Sequence, residues 1–202
     1  MLHSRRRPSN RGSRADGLRR GRQRAPPDFG EGYGDAVKRV LLTGMSGVGK
    51  STVIGELAAR GYRAVDTDYG GLSQLVNVPD DQLTGLGSGQ DWVWREDRIQ
   101  ELLSTADADA LFLGGCSPNQ GKFYPQFDHV VLLTAPAHVI IERLATRTTN
   151  PYGKRPEEVA RVLELRRSVE PVLRRGAGHV IDTGVPLARV VAKVLRLAGL
   201  PT

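Results

Sequence analysis

Arg39-Val-Leu-Leu-Thr-Gly44-Met-Ser-Gly-Val-Gly-Lys50-Ser-Thr-Val-Ile-Gly-Glu-Leu-Ala-Ala-Arg60 is the stretch from which the rest of the chain can be read. Gly44, Gly49, Lys50 and Ser51 satisfy the spacing G-x-x-x-x-G-K-[ST]. Val40 to Thr43 make a short apolar run that reads as a buried strand. Beyond the loop, Val53, Ile54, Leu57 and Ala58 recur at helical spacing. A glycine-rich turn in that setting lets the backbone N–H groups of Met45, Ser46, Gly47, Val48 and their successors to Thr52 curl around phosphate oxygens. The positive end of the following helix points at the same oxygens. Lys50 reaches the outer phosphates, and the Ser51 hydroxyl can ligate Mg²⁺. Met45 and Val48 are expected to turn their side chains outward. The stretch specifies a nucleoside triphosphate site, with ATP and Mg²⁺ as its expected ligands.

The 202 residues fit one domain with an appended tail. Residues 1–35 hold nine arginines against four acids, a surplus of five, and few apolar residues. The remaining 20 cations and 18 acids leave the body nearly neutral. Such a segment cannot offset the entropy of ordering, so a disordered Arg-rich tail is expected over 1–35 and a folded body over 36–202. The high net charge of +7 therefore argues for no nucleic-acid-binding face on the body. A single cysteine, Cys116, excludes an internal disulfide and suits a reducing cytoplasm. No apolar run approaches the ~20 residues of a membrane span. Arg5 to Arg7 precede no apolar segment, so no twin-arginine signal is read. The four histidines show no metal-ligand spacing.

In chain order, Tyr62–Val65 read as a second strand that ends in Asp66-Thr67-Asp68, where open α/β sheets bind ligands. One of the two acids could hold water on a metal ion and the other could accept a hydroxyl proton. Residues 77–91 read as a long loop, with Asp91 capping a helix from Trp92 to about Ser104. In that helix a Trp beside Arg95 suits either core packing or an acceptor pocket. Ala110–Gly114 form a third strand, whose Gly114 and Gly115 permit a ligand to approach the backbone. Ser117–Phe127 is either an acceptor loop or a packed connection, and Cys116 reads as structural. Val130–Leu133 make a fourth strand and Ala137–Arg147 a helix. Arg143, Arg147, Lys154 and Arg155 then surround an Asn-Pro and a Gly, which reads as a mobile cationic lid over about 147–156. A helix from Pro156 to about Arg175, a strand His179–Asp182 and a helix Pro186–Leu197 complete the chain. The loop Thr183–Pro186 is a candidate edge for a purine ring.

Taken together, Gly44–Ser51, Val65–Asp68, Gly114-Gly115, Arg143–Arg147, Lys154–Pro156 and Ile181–Thr183 resemble the small P-loop kinases of the shikimate kinase and nucleoside monophosphate kinase superfamily. The likeness runs from about Lys38 to Leu197 and is strongest to a branch described only as ATP-binding. It implies an α/β three-layer sandwich with a five-stranded parallel sheet, order 2-3-1-4-5, and helices on both faces. It also implies Asp66 near Mg²⁺, Asp68 and Arg95 on the acceptor, Arg143 near adenine, and Arg147 or Arg155 near the transferring phosphate. Cys116 stands where shikimate kinases have a third glycine. Glu170 lies beside the place of their carboxylate-binding arginine, where an acid is expected to repel a carboxylate.

The expected activity is transfer of the ATP γ-phosphate to a small hydroxylated or nucleotide acceptor by a cytoplasmic monomer. A nucleotide-dependent NTPase or switch that engages RNA or DNA through the tail is the alternative. A nucleotide-binding protein without turnover is the third.

Overall fold

The computed structural model describes residues 37–78 and 89–202. The Arg-rich segment 1–35 and most of the expected 77–91 loop therefore lie outside the described residues. Five strands, β1 (Lys38–Thr43), β2 (Arg63–Asp66), β5 (Ala110–Gly114), β6 (His129–Thr134) and β7 (His179–Asp182), form one parallel sheet in the order β2-β5-β1-β6-β7. Counted over these five strands alone, that is the order 2-3-1-4-5. In β1 and β5 nearly every side chain is buried, as near-continuous apolar runs between two helical layers require.

Alternation along the strands divides the core. Val40, Leu42 and Phe112 face helices α1 (Lys50–Ala59) and α6 (Leu187–Leu197) in one cluster. Leu41, Leu111 and Leu113 face α2 (Glu96–Leu103) and the 3₁₀ segment Gln120–Gln126 in the other. Helix α6 buries Val190, Val191, Val194 and Leu195, a stripe at helical spacing. Each such Leu or Val side chain contributes about 1.5–3 kcal/mol when fully buried.

Two expectations about elements are corrected, and one that stood open is decided. Residues 73–77 and 90–94 pair as an antiparallel hairpin, β3 (Ser73–Asn77) with β4 (Gln90–Trp94), and α2 begins only at Glu96. Trp92 and Trp94 are thus strand residues, and Arg95 rather than Asp91 precedes the helix. Aromatic and β-branched residues at Trp92-Val93-Trp94 favour the pleated surface over a helix start. The long helix after Pro156 is two: α4 (Pro156–Ser168) and α5 (Glu170–Gly176). Pro171 lacks the N–H and its ring clashes with the carbonyl four residues back, which breaks the run at Val169. Ser117–Phe127 is a packed connection: Phe123 and Phe127 are core, and buried Gln120 accepts from the Thr43 hydroxyl at 3.0 Å.

Candidate active site

The P-loop lies between β1 and α1. Gly44 has φ +144°, and a Cβ there would stand 2.4 Å from the carbonyl oxygen of Leu133, so no other residue fits. Gly49 has φ +95° and turns the chain into α1, leaving the first amides of the helix free for an anion. Met45 and Val48, expected to point outward, are buried instead. The loop lies across the carboxyl edge of the sheet, so its apolar side chains join the core while its amides face out. The Lys50 ammonium donates to the carbonyls of Gly44 at 2.8 Å and Met45 at 3.3 Å. It is tied to neutral groups, so moving to a phosphate breaks no ion pair. Ser51 and Thr52 are exposed at the mouth of the turn.

Around this loop the fold collects the rest of the set. Asp66 ends β2; its Oδ1 accepts the Asp68 N–H at 3.0 Å, while its buried Oδ2 has no hydrogen-bond partner among the described residues. Asp68 lies at the surface, yet protein atoms crowd its carboxyl group. That loss of water raises its pKa above the ordinary 3.8. Lys50 pulls it back down, Asp66 adds to the rise, and Arg147 pulls it down. Burial holds the Arg147 guanidinium below its usual value, opposed by the charges of its neighbours, Asp68 among them.

Arg143, in α3 (Ala137–Thr146), donates to the carbonyl oxygen of Val48 at 3.3 Å. It also donates to the Thr183 hydroxyl at 3.0 Å and the Thr183 carbonyl at 2.7 Å. It therefore links the apex of the P-loop to the loop after β7. Sequence reading reached that loop as a ring edge but missed the hydroxyl that ties it down. A threonine just past a strand that ends beside the P-loop was the available signal.

Other candidates are placed elsewhere. Arg155 is held at the start of α4 by Glu158 at 2.7 Å and Glu157 at 3.5 Å. The expected mobile lid is closed on itself. Glu158 accepts the N–H groups of Gly153, Lys154 and Arg155, and the Lys154 ammonium caps the carbonyl of Ala145 at 2.7 Å. The Arg147 guanidinium also donates to the Tyr152 carbonyl. Of the four cations, only Arg147 faces Asp68. The Arg155 guanidinium first, and then the N–H groups of Arg155 and Gly153, hold Glu158 well down, at about 2.

Gly114 and Gly115 are explained by packing, since a Cβ would stand 2.5 Å from Ile54 Cγ1 at the first and 1.9 Å from Thr67 Oγ1 at the second. Arg95 pairs with Asp97 at 3.7 Å at the root of the hairpin. Glu170 is buried, accepts from the Thr134 hydroxyl at 3.2 Å and pairs with Arg174 at 3.1 Å and Arg166 at 3.4 Å. Two cations thus pair with the acid. A cavity of about 390 Å³ lined by Gly61–Arg63 and Asp107–Ala110 lies at the amino ends of β2 and β5. It holds none of the site residues.

No group of three His, Cys, Asp or Glu gathers among the described residues, so a wholly protein-built metal cage is not present there. A divalent ion held partly by phosphates and water needs only one or two protein oxygens. The unpartnered Asp66 Oδ2 and the exposed Ser51 hydroxyl fit that requirement.

A family model described as an AAA domain matches residues 40–164. The chain is 28% identical over 145 residues to a nucleotide-binding protein of Thermosipho africanus, covering 71% of this chain and 48% of that one. It thus spans about half the length of that relative. It is 25% identical over 149 residues to a shikimate kinase of Neisseria gonorrhoeae, covering 72% of this chain and 87% of that one. The solved shikimate kinase from Acinetobacter baumannii in complex with shikimate shares the fold, with a TM-score of 0.54 at 22% identity over 80% of this chain and 92% of that one.

Proposed function

That the chain belongs to the AAA domain family is the premise from which we propose an ATP- and Mg²⁺-dependent phosphotransferase, with residues 36–202 as the kinase body. Relatives named shikimate kinase make a small hydroxylated acceptor the natural class. The observation that carries the reading is geometric: a P-loop whose Lys50 ammonium is held only by the Gly44 and Met45 carbonyls, with the Asp66–Asp68 turn at the end of β2.

The acceptor hydroxyl oxygen bonds to the γ-phosphorus as the bond to the bridging β,γ-oxygen breaks. ADP leaves, and the hydroxyl proton passes to Asp68. Lys50 and Arg147 offset charge on the transferring group, and the P-loop amides hold the chain of phosphates in place. Arg143 and the Thr183 loop border the base. Asp66 and Ser51 would hold Mg²⁺, which when bound neutralises the phosphate oxygens. No helix among the described residues is long and apolar enough to cross a membrane. We place the enzyme in the cytoplasm.

The test is ADP release from Mg·ATP by the purified chain, with and without residues 1–35, against shikimate, gluconate, nucleosides and nucleoside monophosphates. Acceptor-dependent release that survives loss of 1–35 is expected. Release that needs no acceptor and rises with RNA would replace this reading with a nucleic-acid-stimulated NTPase.

A further inference from the structure

One face of the β3–β4 hairpin is built the wrong way round for a strand that only packs. The pairing Ser73 with Trp94 and Leu75 with Trp92 puts these four side chains on one face, with Val76, Asp91 and Val93 on the other. The inner pair closes on Thr67: the Ser73 hydroxyl donates to its carbonyl at 2.9 Å, and the Trp94 indole N–H donates to its hydroxyl at 3.0 Å. Thr67 is the residue before Asp68. The next pair outward on that face, Leu75 and Trp92, is 45% and 51% exposed, whereas Asp91 on the opposite face is 5% exposed. The hairpin therefore buries an acid on one face, and on the other, outward of buried Trp94, offers water a leucine and an indole. They stand roughly 7 Å, two residues of strand, beyond the pair fixed to Thr67. Tyr69, just past Asp68, is 54% exposed.

Exposed aromatic surface continuous with a polar reacting group marks a binding wall. We propose that Leu75 and Trp92 are the wall on which a nucleoside acceptor lies, its base against the Trp92 indole and its sugar hydroxyl at Asp68. This inference rests on the phosphotransfer reading above. A compact polyhydroxy acid gives an indole no flat aromatic face to stack on. Such an acid also needs a cation for its carboxylate, and Arg95 at the hairpin root is already paired with Asp97. A nucleoside needs neither, and base–aromatic stacking tolerates any base.

The experiment titrates the full chain, holding Mg·ADP, with adenosine, cytidine, shikimate and gluconate while reading tryptophan fluorescence. Nucleoside affinity of the wild type, Trp92→Ala and Trp92→Phe is then measured by calorimetry, since the two variants lack the reporting indole, with Mg·ATP affinity measured in the same way. Both nucleosides are expected to quench the wild-type signal and the two acids to leave it unchanged. Trp92→Ala is expected to weaken nucleoside binding about tenfold or more, and Trp92→Phe to recover most of it. Equal nucleoside affinity in wild type and Trp92→Ala, or saturable binding of shikimate or gluconate alone, overturns the wall. Loss of Mg·ATP binding by the wild-type chain instead overturns the kinase reading. The quench by nucleosides is read independently of transfer.

Discussion

The Thr183 hydroxyl donates to the carbonyl of Val48 at 2.8 Å across 135 residues of sequence, and accepts from Arg143 at 3.0 Å. One buried hydroxyl thereby fixes the P-loop apex, the end of β7 and the arginine proposed to border the base. Thr183→Val keeps the shape and removes the bond, at an expected cost of about 1 kcal/mol. Calorimetry is expected to show Mg·ATP affinity reduced several-fold, with Thr183→Ser close to wild type. Unchanged affinity in the valine variant would show that Arg143 needs no such anchor.

Arg147 and Arg155 separate in the structure and should separate in kinetics. Arg147→Met removes the cation beside Asp68, and kcat is expected to fall on the order of 10³-fold, as for other cations that stabilise phosphoryl transfer. Arg155→Met leaves the cleft intact and loosens the loop at Glu158, so a fall of less than about tenfold is expected on the same scale. Steady-state kinetics on both variants decides the order, and the reverse order would mean the loop opens and redirects Arg155.

Asp68 couples activity to pH with a definite sign. Its folded value lies above 3.8, so the folded protein holds the proton more tightly than the unfolded chain. Stability is lost as pH rises through the folded value. Asp68→Asn is therefore expected to abolish transfer yet raise Tm near pH 7, with no gain below pH 3.8, where both states keep the proton. Arg147 lowers the Asp68 value, so in Arg147→Met the acid limb of kcat/KM is expected to move to higher pH. A limb that stays put would remove Asp68 as the base.

Gly115→Ala places a Cβ 1.9 Å from Thr67 Oγ1 and 3.2 Å from the Trp94 ring. Crowding of this kind costs about 1–3 kcal/mol. Denaturant unfolding is expected to show that loss, with partial recovery in Gly115→Ala/Thr67→Ala. Absence of recovery would place the strain on Trp94.

Much of this was legible from residues alone, for reasons that differ by element. The G-x-x-x-x-G-K-S loop fixes a strand before it and a helix after it, and the apolar runs at 110–114, 130–133 and 179–182 then have room only in a parallel sheet. The hairpin was not legible. Trp92, Arg95 and Ile99 fall at helical spacing, and five residues of strand are too few for alternation to outvote it. The break at Val169 was signalled by Pro171 and missed because acids and leucines on either side kept the helical period. The closed loop at 147–155 hid for another reason. Glu158 reads as an acid favoured by the start of a helix, and nothing in its spacing shows that it gathers three backbone N–H groups instead. For the site, Lys50, Asp66, Asp68, Arg143 and Arg147 converge, whereas Gly114, Gly115 and Arg155 owe their surroundings to packing and pairing.

Trp94 works as a peg. Its ring stands against Gly115, its indole N–H is seated on Thr67, and its backbone N–H is received by Ser117 and Asn119 at 3.0 Å each. Ser73–Asn77 and Gln90–Trp94 are held by that peg, by the Ser73 hydroxyl on the Thr67 carbonyl and by the Arg95 N–H bond to Leu72, and these strands take no part in the five-stranded sheet. The hairpin is thus an exchangeable cartridge: a lineage can swap what it carries while the phosphate machinery beneath keeps its settings, and selection for a new acceptor has a place to act without endangering the old chemistry.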